Sequence, residues 1–295
     1  MDRWSYCILD VFSRRPLAGN QLAVFEDAAA IPEHVLQPLA REIGFSETVY
    51  LLPGLGEADA RMRIFTPAAE APFAGHPTLG AAVTCAARTG AARVRLLTGR
   101  GIITVSVQPG ERGVYRGSMT QPTPAVSVAS NADAILGALG VARAELPVMI
   151  YDNGIAHVFV VLNNPSEVAT LQPDLQALAQ LAPTISDGVV GFNVLAGSGG
   201  RWKTRMFAPA AGVAEDPATG SAAGPLALHL ARHGLTDWGQ EITIEQGVEI
   251  GRPSELLASA ALTDNVVGPI TVAGHAVIVG GGWFDAGLLR ATPGP

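Results

Sequence analysis

Apolar and polar positions along the chain switch period many times, which fits short strands punctuated by a few helices. Tyr6 to Phe12 is an apolar run broken by Asp10, and Ala18-Gly19-Asn20 supplies turn chemistry before Leu22-Ala23-Val24-Phe25, so a β-hairpin is expected there. Pro32 to Ile43 places Val35, Leu36, Leu39, Ala40 and Ile43 on one helical face, with Gly44 as the stop and Pro38 as an internal conflict. Strand signals return at Thr48–Leu52, Arg61–Phe65 and Gly101–Val107. Gln121-Pro122-Thr123-Pro124 then interrupts all periodicity. Beyond it, helices are expected at Asn131–Leu139 and Leu171–Leu181. Strands are expected at Val158–Leu162, Trp202–Phe207, Ile242–Ile244 and Val277–Val279, with a frayed tail after Arg290.

The chain also repeats itself. Arg63-Ile64-Phe65-Thr66-Pro67-Ala68-Ala69 returns as Arg205-Met206-Phe207-Ala208-Pro209-Ala210-Ala211, and each copy precedes a long Ala-rich stretch. One stretch opens Gly75-His76-Pro77-Thr78-Leu79-Gly80 and the other Glu215-Asp216-Pro217-Ala218-Thr219-Gly220, so spacing makes His76 and Asp216 equivalent. Prolines 77 and 217 suit a first helical turn, and Asp216 is an N-cap candidate with His76 in the same slot. From proline to glycine stop, the second stretch is the longer by about one turn. From its proline onward, neither stretch carries Asp, Glu, Lys or Arg before its last turn, so each predicts a helix buried on all sides. The fold class that follows is α+β: two pseudo-symmetric lobes, each a strongly twisted sheet wrapped around a central apolar helix. The N-terminal lobe spans 1–120, with a C-terminal strand near 276–290 able to return to it; the second spans 121–275. Gly80, Ala81, Ala82, Ala222 and Ala223 would let the sheets approach closely. Both helix N-termini present amides and a positive dipole end, suited to a carboxylate, and would converge on a cleft between the lobes.

Composition narrows the classes. Among 295 residues 48% are apolar and 15% charged, which describes a globular chain. A net charge of −7 without a basic stripe argues against nucleic acid and anionic membranes as partners. Asp2, Arg3 and Asp10 interrupt any leader, no run is long enough to span a bilayer, and Cys7 and Cys85 sit in apolar settings as two buried thiols. A cytoplasmic protein is expected.

Glu47 stands where a helix ends and an apolar strand begins. Burying it charged is costly, and such a carboxylate can serve as both acid and base near neutrality; the plainer reading is a rim glutamate facing water. His76 can move a proton or orient a ligand, or simply cap a helix, and Asp216 has the same two readings. Ser221 can hydrogen-bond a ligand carboxylate, or be an ordinary small helix residue. Gly220-Ser221-Ala222-Ala223-Gly224 lacks nucleophile-elbow spacing. His229 and His233 are one turn apart but lack the glutamate of a zinc-protease helix, so no metal is expected. The runs Gly197–Gly200 and Gly280–Gly282 read as turns, with no nucleotide implied.

Leu17-Ala18-Gly19-Asn20, Ser46-Glu47-Thr48, Phe65-Thr66-Pro67, Phe73-Ala74-Gly75-His76-Pro77, Glu215–Ala222 and Gln246–Ser254 occur in that order along nearly the whole chain. In these segments the sequence resembles the PhzF family of phenazine-biosynthesis isomerases, whose fold is that of diaminopimelate epimerase. The resemblance implies a cofactor-independent enzyme acting on a small-molecule carboxylate, and a homodimer is expected. It implies a catalytic glutamate at Glu47, support from His76 and Asp216, and substrate contacts at Gly75, Gly220, Ser221 and Asn20. The family substrate is trans-2,3-dihydro-3-hydroxyanthranilate, with Glu47 moving a proton from C3 to C1. Related epimerases place two cysteines at the helix N-termini; here neither Cys7 nor Cys85 lies there. Gln21 stands where many members have proline. An epimerase or racemase acting on another small carboxylate, and a non-catalytic binding homologue, are the alternatives.

Overall fold

The protein, described here from a computed structural model over residues 3–290, divides into two compact units. One comprises the described residues up to Met119 together with those from Gly274 onward; the other is Thr120–Ala273. Each is a mixed sheet with a few helices.

Strand pairing follows the same succession in both. In the first unit Arg3–Val11 pairs antiparallel with Asn20–Phe25, which runs parallel to Glu47–Pro53, itself antiparallel to Ala60–Phe65. That last strand pairs antiparallel with the short Glu70–Ala71 and parallel with Arg93–Thr98, which is antiparallel to Gly101–Pro109. In the second unit Met149–Asp152, Ala156–Val161, Val190–Ser198 and Arg201–Ala208 repeat the antiparallel, parallel, antiparallel order. Val213–Asp216 then pairs antiparallel, Ile242–Gln246 parallel, and Ser254–Thr263 closes the series. The duplicated heptapeptide marks the same strand in each series. Its arginine makes the same contacts twice: Arg63 forks onto Glu70 and lies 5.1 Å from the Phe65 ring, while Arg205 forks onto Glu215 and lies 5.1 Å from the Phe207 ring.

Parallel neighbours require a crossover, and each crossover is helical. Glu33–Ile43 covers one sheet face with Val35, Leu36 and Leu39 against Phe25, Tyr50 and Phe65, and ends at Gly44 in the left-handed conformation. In the second unit the helix expected over 171–181 begins only at Leu175, as Leu175–Leu181, and a short helix not expected from sequence, Pro165–Ala169, precedes it. Pro173 breaks the run, and Asp174 restarts it by accepting from the Ala177 amide at 3.0 Å.

The two Ala-rich helices are Gly75–Thr89 and Gly220–Arg232, each buried from its first residue to its last turn. The first packs against five strands of its unit, including Asn20–Phe25 and Glu47–Pro53. Glycine is required within this packing: a Cβ on Gly80 would run into the Leu22 and Val11 side chains, and one on Gly117 would sit 2.7 Å from Leu79 Cγ. The second helix is the shorter, 13 residues against 15, contrary to the length expected from its proline. It starts at Gly220 after Thr219, leaving Pro217 outside.

Pro225 lies inside the second helix, which continues through it. A proline has no N–H to give the carbonyl four residues back, here that of Ser221. Asn153 Nδ2 donates to that carbonyl at 2.9 Å, and Gln121 Nε2 donates to the neighbouring Gly220 carbonyl at 2.8 Å. Asn153→Ala should therefore expose a buried acceptor and cost about 1–3 kcal/mol. Calorimetry should record that loss as a melting temperature several degrees lower; an unchanged melting temperature would remove Asn153 from this role.

Gly280–Gly282 is not a turn. It lies inside the strand Val266–Asp285, opposite Tyr6, Cys7 and Ile8, where a Cβ on Gly282 would fall 2.8 Å from Tyr6 Oη. Gly199-Gly200 does form a turn, joining two antiparallel strands. Both cysteines are buried free thiols. Among the described residues no helix is long and apolar enough to cross a membrane.

Candidate active site

Asn20 and Glu47 each open a strand, and those strands are parallel neighbours with Leu22 beside Glu47. Parallel pairing places both residues at the same edge of the sheet, where the helix Gly75–Thr89 also begins. Ala74 caps that helix in extended conformation, so Gly75 is its first residue and His76 its second. His76 is 3% exposed, and its Nδ1 lies 3.2 Å from Asn20 Nδ2. Ser46 Oγ donates to Asn20 Oδ1 at 3.1 Å, which turns the amide nitrogen of Asn20 toward the imidazole. An amide nitrogen only donates, so Nδ1 accepts and the ring proton sits on Nε2. Nε2 makes no hydrogen bond and faces Glu47 Oε2 at 3.6 Å, slightly beyond bonding distance. Burial pushes the His76 pKa down to about 3, against a smaller opposing effect of the Gln21 backbone. The imidazole is thus neutral at working pH: a fixed donor beside a partly buried carboxylate. Three of the predicted residues, Asn20, Glu47 and His76, come together here. Gly75 supplies the first turn beneath them.

In the second unit the geometry departs from the motif spacing. His76 and Asp216 are not equivalent. Asp216 ends the strand Val213–Asp216 and precedes the helix cap, Thr219, by three residues. The proline after it disfavours helical backbone at Asp216, so the strand continues through that residue. The counterpart of His76 by helix position is Ser221, the second residue after Thr219. Asp216 Oδ2 instead accepts from Thr219 Oγ1 at 2.6 Å. Gln246 stitches this corner. Its Nε2 donates to the Asp216 carbonyl at 2.8 Å and to Thr219 Oγ1 at 2.9 Å, and its Oε1 accepts from the Thr219 amide at 3.1 Å. The next residue, Gly247, has φ +76, and a Cβ there would lie 3.0 Å from Pro217 Cα. Asp216, Gly220 and Ser221 therefore cluster at one helix start, with Ser221 Oγ 3.0 Å from His157 Nε2.

Ser46, Thr219, Gln246 and His157 were not singled out by sequence. Ser46 and Gln246 lie in recognisable segments, but the partners they hold are distant in the chain. His157, within the apolar strand Ala156–Val161, reads from sequence as an ordinary core histidine. Of the two histidines one turn apart, for which no metal is expected, His229 bonds Tyr151 through Nδ1 at 3.1 Å, and its ring lies 4.7 Å from that of His233. Among the described residues no three His, Cys, Asp or Glu side chains gather as metal ligands.

The sequence matches the PhzC-PhzF family model, phenazine biosynthesis-like protein, over residues 9–282. The chain belongs to the PhzC-PhzF family. Trans-2,3-dihydro-3-hydroxyanthranilate isomerase of Pseudomonas fluorescens is 43% identical over 278 residues, covering 94% of this chain and 98% of that one. An uncharacterised isomerase of Escherichia coli, YddE, is 31% identical over 92% of this chain and 95% of its own. The crystal structure of a Bacillus anthracis PhzF-family phenazine biosynthesis protein superposes with a TM-score of 0.83 at 25% identity, covering 97% of this chain and all of that one. The PhzC-PhzF match takes in both helix starts and every residue of the two clusters.

Proposed function

We propose that the protein is an isomerase that shifts a proton on trans-2,3-dihydro-3-hydroxyanthranilate, with Glu47 as the general acid and base. The observation that carries this reading is the pairing of Glu47 with a neutral, tautomer-fixed His76 at a helix N-terminus. The 43% identity to a relative bearing that activity supplies the substrate. In the proposed reaction the Glu47 carboxylate takes the proton from C3, the electron pair moves through the ring, and the protonated Glu47 returns a proton to C1. Nothing is oxidised, and one group serves both halves of the transfer. His76 orients a polar group of the substrate or of Glu47. The amides at Gly75, Gly220 and Ser221, at positive helix ends, suit a carboxylate. Asn20 acts through His76, and Asp216 is assigned to orienting the substrate's polar groups.

We further propose that each sheet wraps its central helix in the manner of diaminopimelate epimerase, and that the enzyme is a cytoplasmic homodimer working without a cofactor. The test is turnover of trans-2,3-dihydro-3-hydroxyanthranilate in deuterated water, followed by mass spectrometry. Product should form with solvent deuterium at C1, at a level set by how often Glu47 exchanges its proton before returning it. Ligand binding without turnover or exchange would sink the isomerase reading in favour of a binding protein.

A further inference from the structure

His157 is fully buried, and its two ring nitrogens meet two different residues. Nε2 lies 3.0 Å from Ser221 Oγ, and Nδ1 lies 3.4 Å from Asn193 Nδ2. The orientation of the Asn193 amide is fixed independently of the histidine. Its nitrogen sits 3.1 Å from the Val158 carbonyl and 3.1 Å from the Gly191 carbonyl, and carbonyl oxygens only accept. The amide oxygen cannot occupy that position. A protonated Nδ1 would then place one N–H against another, so the lone pair is at Nδ1 and the proton at Nε2.

The consequence falls on Ser221. With Nε2–H as donor, Ser221 Oγ accepts, and its own proton must be given to something else. Among the described residues no acceptor for it is found, and the side chain is 97% buried at the second position of its helix. We propose that His157 is a positioning residue: by occupying the acceptor side of Ser221 Oγ it commits that hydroxyl to donate to a carboxylate of the substrate. This rests on the reading above that Ser221 contacts substrate. Burial also pushes the His157 pKa down to about 3, so the imidazole keeps this single-proton form across the working range. Asn193 and His157 thereby treat Ser221 much as Asn20 treats His76: an amide sets an imidazole tautomer, and the tautomer sets which way a proton points at a helix start.

Two measurements test this. The first is a two-bond proton–nitrogen correlation spectrum of protein labelled with ¹⁵N-histidine, with the His157 signals assigned by their loss in His157→Leu. The Nε2–H pattern is expected at neutral pH; an Nδ1–H pattern overturns the proposal without reference to any activity. The second is steady-state kinetics with trans-2,3-dihydro-3-hydroxyanthranilate. His157→Leu should raise KM about tenfold with kcat within about threefold, as expected for loss of one charge-assisted hydrogen bond. His157→Gln, whose amide can still donate to Oγ, should restore KM. Ser221→Ala should raise KM similarly, and the double variant should be no worse than either single one. A His157→Leu protein with lowered kcat and native KM would reduce His157 to a structural role. Ser221→Ala with native KM would remove Ser221 from substrate binding. Absence of native turnover, with the Nε2–H pattern intact, would overturn the substrate assignment while supporting the hydroxyl wiring.

Discussion

Glu47→Gln should leave a folded protein that binds substrate with KM within about threefold and turns it over at least about 10³-fold more slowly, the upper range for loss of a general acid–base group. Gln keeps the shape and hydrogen-bonding reach of Glu but cannot take up and return a proton. The neighbouring imidazole cannot substitute. His76 already carries its proton on Nε2, Asn20 occupies Nδ1, and burial holds its pKa at about 3. At pH 7 a group with that pKa is protonated about once in ten thousand molecules, too rarely to serve as an acid, and it is a correspondingly weak base. Deuterium incorporation at C1 should fall in parallel with kcat. A variant retaining a tenth of native turnover would place the proton transfer on another group.

Acid should unfold the protein well above the pH at which carboxylates protonate, and the second unit should fail first. Three buried histidines, His76, His157 and His229, have pKa values pushed down to about 3, in each case chiefly by burial, with the neighbouring His233 adding to the effect on His229. In the unfolded chain each titrates near its ordinary value of about 6.5. Below that value the unfolded state binds protons that the folded state refuses. Their stabilising contribution is thus complete above about pH 6.5 and lost progressively as pH falls toward 3. Each histidine contributes a slope of about 1.4 kcal/mol per pH unit over that window, so two pH units across three groups amount to about 8 kcal/mol. That is comparable with the whole stability of an ordinary domain, about 5–15 kcal/mol. His157 and His229 belong to Thr120–Ala273 and His76 to the other unit, so the second unit should show about twice the pH slope. Hydrogen exchange read peptide by peptide between pH 7 and 4.5 would check this. Equal slopes, or no change above pH 4, would refute it.

Sequence pattern alone reaches surprisingly far into the architecture, and its failures have identifiable causes. The charge-free stretches identify both central helices because a helix without a polar face has nowhere to lie but inside. The glycine stop at Gly44 is legible because it must take positive φ, here +70. The equivalence of His76 and Asp216 fails because proline spacing does not reveal where a strand ends. The strand before the first helix is two residues long, whereas Val213–Asp216 carries the chain to the residue before Pro217 and delays the second helix to Gly220. Gly280–Gly282 misleads for a related reason: glycine serves close approach to Tyr6 as readily as it serves a turn. Of the site, Asn20, Glu47 and His76 could be named from their segments. The hydrogen bonds that give them and Ser221 their proton directions could not, since they join residues 26, 56 and 64 positions apart.

The strand Val266–Asp285 has a consequence for how the protein is made. Its residues from Ala276 onward pair with Arg3–Val11, so that first strand lacks one of its sheet partners until the whole of Thr120–Ala273 has been made. Thr120–Ala273 has all its residues earlier. A nascent chain paused before residues 276–285 leave the ribosome would hold an open Arg3–Val11 edge. Such an edge can pair with another nascent copy on the same message.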